Sequence, residues 1–227
     1  MLNKPIFIGI AGASGSGKTL LASRLCELIV RNFGDQQIKV INEDCYYRCR
    51  DGITFADRAK VNYDHPDAFE HELLIKHLAE LLSGKAIQLP QYDYATHNRS
   101  QTVTKIQTAK VILVEGILIF HHPELRKQFD LKIFVDVDLD VCLSRRLKRD
   151  TAERGRTAES ILQQYHETVR PMYHEFIYPG KKHADLIVPR GGKNAQAICV
   201  LHNYIQSILK PEPIETNLPK PNQHGGV

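Results

Sequence analysis

The 227-residue chain lacks any apolar run approaching the roughly 20 residues that a membrane span needs. Its opening, "MLNKPIF", lacks the charged head, apolar stretch and small-residue cleavage site of a signal peptide, so the expected compartment is the cytoplasm. Charge of one sign is not in marked excess. The 30 Lys+Arg against 26 Asp+Glu leave a formal +4, too mild to imply nucleic acid or a membrane as a partner. A paired cysteine framework is also missing, because the cysteines at 26, 45, 49, 142 and 199 are odd in number and scattered. Cys45 and Cys49 are spaced like a metal pair, but no second Cys or His pair follows at finger-like distance. Free thiols in a reducing compartment account for them better. No internal repeat is visible. The prolines at 211, 213, 219 and 221 and the closing "HGGV" set 211–227 apart as a flexible tail beyond one domain over 1–210.

What is present is a rhythm. The short apolar runs "IFIGIA" (6–11), "IKVI" (38–41), "VILV" (111–114), "IFVDV" (133–137) and "LIVP" (186–189) have the length and β-branched content of buried strands. Helical patterns fall between them at 17–33, 67–83, 139–153, 158–177 and 194–209. Pro66 suits a first helical turn, and Gly84 suits the end of that helix. Alternation of this kind predicts an α/β fold, a five-stranded parallel sheet between two helical layers. Residues 86–107 break the rhythm as two short strands, about 86–92 and 101–107, around a polar loop. Such an inserted β-hairpin is expected to lean over a cleft rather than join the sheet.

Between the first strand and the first helix lies "GASGSGKT", Gly12 to Thr19, which matches the P-loop pattern G-x-x-x-x-G-K-[ST]. A glycine-rich turn lets backbone N–H groups converge on phosphate oxygens, and the helix behind adds its positive end. Across Gly12, Ala13, Ser14, Gly15, Ser16 and Gly17 the backbone cradles the phosphates. Lys18 can reach the outer phosphates, and the Thr19 hydroxyl can ligate Mg²⁺. A guanine-binding GTPase also needs N/T-K-x-D, which neither "NKPI" nor "TKIQ" supplies. Motor ATPases usually need more chain. Kinases that phosphorylate a small acceptor remain.

Such a kinase needs carboxylates at the rim where the strands end. Asp44 follows "IKVI" and Glu115 follows "VILV", so both fall beside the P-loop. Asp44 suits a general base and Glu115 a metal-linked acid. Glu43 is the rival of Asp44 next door, and a loop acid or helix cap is the plainer account of either position. Further on, "RRLKRDTAERGR" (145–156) holds six basic residues in twelve. A solvated face or a nucleic-acid patch would read the same way. If Leu139, Leu143 and Leu147 form the apolar stripe, Arg146 and Arg149 flank it while Arg145 and Lys148 face solvent. The Gly155 hinge between Arg154 and Arg156 favours a helical lid, about 145–165, that carries charge onto a triphosphate.

Taken with "EDCYY", "NYDHPDAF", "LPQYDYATHNR", "EGIL", "QYHETVRPM" and "ADLIVPRGGKN", these stretches resemble the uridine kinases, or uridine–cytidine kinases. The likeness covers nearly all of 5–209 and is to the short bacterial single-domain form. It implies transfer of the terminal phosphate of ATP or GTP to the 5′-hydroxyl of uridine and cytidine, giving UMP and CMP for pyrimidine salvage. It also implies Mg²⁺ and a homotetramer. By the same resemblance Asp44 is the base, and Thr19, Asp44 and Glu115 surround the metal. Asp64 holds the ribose hydroxyls, while Tyr92 and His97 stack on the pyrimidine and bond its edge. Tyr47 and Ile117 wall the base pocket. Arg146, Arg156 and Gln164 contact nucleoside and phosphate, and Arg149 and Arg154 clamp the phosphates. Tyr63 stands where some members have phenylalanine. Lys193 stands where animal forms carry an acid near the ATP base.

Overall fold

The computed structural model describes residues 4–210. The sequence-predicted tail from Pro211 lies outside the described residues.

In chain order the elements are β1 (Ile6–Gly12), α1 (Lys18–Phe33), β2 (Ile38–Asn42), α2 (Phe55–Arg58), α3 (His71–Leu82), β3 (Ile87–Asp93), β4 (Asn98–Ile106) and β5 (Val111–Gly116). After these come α4 (Pro123–Arg126), β6 (Leu131–Asp136), α5 (Leu139–Arg154), α6 (Ala158–Gln164), α7 (Arg170–Met172), β7 (Leu186–Pro189) and α8 (Ala195–Leu209). All five apolar runs become strands of one sheet, ordered β2-β5-β1-β6-β7. Every pairing in it is parallel.

Both faces of that sheet are covered, which is why its strands read as unbroken apolar runs. Alternate residues go to opposite sides. Ile8, Ile10, Leu113 and Val135 pack against Leu21, Leu25 and Ile29 of α1 and Leu201 and Ile205 of α8. On the other face Phe7, Ile112, Val114 and Phe134 pack with Leu74, Leu78 and Leu81 of α3 and with Tyr173 and Ile177. This is the three-layer arrangement the alternation implied.

Several boundaries differ from the sequence expectation, each for a local reason. Pro66 opens a separate 3₁₀ turn, Pro66–Ala68, and α3 begins only at His71. The hairpin turn is tighter, with Asp93 opposite Asn98. There Asp93 accepts bonds from the Ala95 N–H at 2.8 Å and the Thr96 hydroxyl at 2.9 Å, so a polar stretch folds on itself. The expected helix 158–177 is continuous, but two of its stretches, Tyr165–Val169 and Tyr173–Ile177, are π-helical. Pro171, which has no N–H to give, lies between them.

Candidate functional site

The carboxyl ends of β1, β2 and β5 converge on one rim, and a cavity of ≈ 700 Å³ opens above it. The P-loop is its floor. Gly15 and Gly17 have φ of 85° and 93°, and a Cβ at Gly15 would strike the carbonyl oxygen of Cys142. Only glycine suits that turn. Ser14, Gly15, Gly17, Lys18 and Thr19 line the cavity, whereas Gly12, Ala13 and Ser16 are buried and do not line it. Lys18 is only 8% exposed and its Nζ reaches the carbonyl of Ala13 at 3.4 Å. Ser16 Oγ is fully buried without a partner.

The two neighbouring acids separate. Glu43 is fully buried, with Oε1 2.8 Å from His71 Nε2 and Oε2 accepting the Leu118 N–H at 2.9 Å. That anchors the chain after β2. Asp44 faces the cavity, its backbone N–H held by Asn42 Oδ1 at 2.8 Å. Thr19 Oγ1 donates to Glu115 Oε1 at 2.9 Å. Burial first, then the nearby Asp44 charge, raises the Glu115 carboxyl against the opposing pull of Lys18. Asp64 is likewise pushed up by burial, with Arg146 opposing and Asp44 adding to the rise. Among the described residues no cluster of three or more His, Cys, Asp or Glu gathers to hold a metal. Thr19, Asp44 and Glu115 nevertheless all line the cavity and offer only oxygen donors, which fits a hard cation held mainly by phosphates and water. The five cysteines are free thiols, and burial pushes Cys45 up to about 11.

An aromatic wall faces the acids. The Tyr47 ring stacks on Phe69 at 4.3 Å and meets Tyr92 at 4.7 Å. Tyr63 stacks on His97 at 5.7 Å, and its hydroxyl donates to the carbonyls of Arg58 and His97. His97 has a left-handed backbone (φ 51°), a position L side chains rarely take and one common at ligand clamps. Burial and then the Arg156 and Arg154 charges lower its imidazole pKa, which favours the neutral ring. Ile117 closes this side.

The roof is α5 and α6, and here one expectation is corrected. The buried face of α5 is Cys142, Arg146 and Asp150, not the leucine stripe, whose members are only half-buried. Arg145 does not face solvent. Its guanidinium donates to the carbonyls of Gly15 at 3.3 Å and Ser16 at 3.0 Å. Asp150, fully buried, collects the guanidiniums of Arg146, Arg149, Arg154 and Arg156 within 2.9–3.8 Å. Gln164 Oε1 accepts from Arg146 at 2.8 Å and Arg156 at 2.6 Å. Lys193 is exposed and stands apart from the cavity lining. Sequence reasoning missed Arg145, Asn42, Phe55 and Tyr94 as lining residues. The aromatic pair Tyr92 and Tyr94 in "QYDY" was the available signal for the last.

A phosphate-binding turn and an acid face each other across a space large enough for two small molecules, under a roof rich in arginine. The fold that frames them is that of the P-loop kinases. The family model described as phosphoribulokinase / uridine kinase matches residues 7–197, and the chain belongs to that family. A curated uridine kinase of Vibrio atlanticus (strain LGP32) is 50% identical over 208 residues, covering 92% of this chain and 98% of the relative. One from Proteus mirabilis (strain HI4320) is 53% identical over 194 residues, covering 86% and 91%. The solved phosphoribulokinase from Rhodobacter spheroides is similar in fold alone. Its TM-score is 0.63 at 18% identity, over 82% of this chain and 70% of that one. The chain is thus an ATP-dependent kinase, and among the described residues no helix is long and apolar enough to cross a membrane.

Proposed function

We propose that this kinase transfers the terminal phosphate of ATP or GTP to the 5′-hydroxyl of uridine and cytidine, giving UMP and CMP. The observation that carries the reading is the cavity itself, which Lys18, Thr19, Asp44, Tyr47, Tyr92 and His97 line together. An aromatic wall suits a planar base better than a sugar phosphate or an acyl chain. The curated relatives named above carry the uridine kinase description and cover nearly the whole chain.

In this reading the acceptor hydroxyl gives its proton to Asp44 as its oxygen bonds to the terminal phosphorus, and the bond from that phosphorus to the bridging oxygen breaks to release ADP or GDP. Asp64 accepts from the ribose hydroxyls. A neutral His97, able to donate from one ring nitrogen and accept at the other, tolerates both uracil and cytosine. Lys18, Arg149 and Arg154 stabilise charge on the transferring group, and Arg146, Arg156 and Gln164 join nucleoside to phosphate. A Mg²⁺ held near Thr19, Asp44 and Glu115 would supply neutralising charge at the phosphates. The reading extends to a salvage role in the cytoplasm and to a homotetramer.

A coupled phosphotransfer assay against uridine, cytidine, pantothenate and ribulose 5-phosphate tests it. Transfer to the two pyrimidine nucleosides is expected, and failure with both would sink the proposal. Asp44→Asn should lower turnover by about 10²- to 10⁴-fold while ATP still binds.

A further inference from the structure

Tyr94, in the turn between β3 and β4, donates its hydroxyl to Asp44 Oδ2 at 2.6 Å. Its ring has two other partners. The Arg154 guanidinium lies 4.3 Å from the ring centroid, and Tyr92 meets it edge-on at 5.1 Å. The carboxylate that must accept an acceptor's proton is therefore already paired with a hydroxyl of the chain itself.

We propose that Tyr94 guards Asp44 against water, staying paired with it until a nucleoside's hydroxyl takes its place. The inference rests on Asp44 being the base. Unguarded hydrolysis would bond a water oxygen to the terminal phosphorus and break that phosphorus from the bridging oxygen of ADP. The water proton would pass to Asp44, leaving ADP and inorganic phosphate. The Tyr94 hydroxyl occupies the Asp44 oxygen that an attacking water would have to reach, so water must first displace a short, charge-assisted bond. Water brings no other contact with which to displace the phenol. A nucleoside does, because its base gains the aromatic wall, and that binding energy can be spent on breaking the Tyr94–Asp44 bond. Tyr94 thus acts through Asp44 as a positioning residue that discriminates acceptor from solvent. The same ring carries Arg154, so movement of Tyr94 also releases a lid arginine toward the phosphates.

Tyr94→Phe removes the hydroxyl and keeps the ring. Tyr94 is 40% exposed, so this change is compatible with folding. ADP release is measured with the full chain, ATP and Mg²⁺, and no nucleoside. It should rise on the order of tenfold over the unsubstituted chain, the scale of one hydrogen bond to a charged group. Adding Asp44→Asn should remove the increase. Unchanged ADP release overturns the guard, as does an increase that survives Asp44→Asn. Transfer to uridine by the unsubstituted chain is read in parallel. Its absence sinks the nucleoside reading, whereas its presence with unchanged ADP release sinks only the guard.

Discussion

Asp64 and Glu115 sit in the cavity with carboxyl groups raised by burial from ordinary values of 3.8 and 4.5. Each binds a proton more readily folded than unfolded. Their contribution to stability is therefore complete below the unfolded carboxylate range and is lost as pH rises through the raised folded values. The nucleotide-free protein is expected to lose stability from about pH 4 upward on their account. Thermal unfolding across that range should show a shallower decline in Glu115→Gln, and a slope identical to the unsubstituted chain would contradict this. His97 has the opposite sign. Its lowered pKa means that the folded chain resists protonation, so its contribution to stability is present above the ordinary value of 6.5 and fades as pH falls through the lowered one. His97→Ala should raise the KM for uridine about tenfold with little change in nucleotide binding, the scale of a lost specific hydrogen bond. Glu43 and Asp44 show what one position of sequence conceals. Both were legible as acids beyond a strand, but only packing sends the first to His71 and the second to the cavity.

On α5 a single buried acid, Asp150, gathers four arginines. Asp150 is fully buried, Arg146 nearly so, and Arg149, Arg154 and Arg156 are about a third exposed. In Asp150→Ala the three outer arginines can turn to water, whereas Arg146 keeps only Ser14 and Gln164 as acceptors. Removing one partner of a buried pair costs about 3 kcal/mol, and urea unfolding should show a loss of that order. The KM for ATP should rise with it, because the arginines proposed to meet the phosphates lose a shared pivot. The leucine periodicity misled here. Leu139, Leu143 and Leu147 have helical spacing, but α5 buries Arg146 with its counter-charge Asp150 instead. The strands were legible because a sheet covered on both faces requires unbroken apolar runs. The short helices α2 and α4 were not, since four residues carry no period.

At the scale of the molecule, the strand order β2-β5-β1-β6-β7 was not legible in the sequence, and the gathering of Asp64, His97 and Gln164 around one cavity came to the sequence reading only through family resemblance. Periodicity says nothing about which strands are neighbours. Every lining residue of the cavity falls between Ser14 and Gln164. We propose that a chain ending at Lys210 keeps kcat and the uridine KM within about twofold, which steady-state kinetics would check. The central strand is also the first one made. β1 pairs with β5 and β6, which begin at Val111 and Leu131, so on the ribosome it must wait for both flanks. At about 5–20 residues per second the wait for β6 is roughly 6–24 seconds. For that interval the apolar segments of the N-terminal half emerge without their sheet partners. Efficient production of this enzyme in a cell should therefore depend on early shelter of the nascent chain.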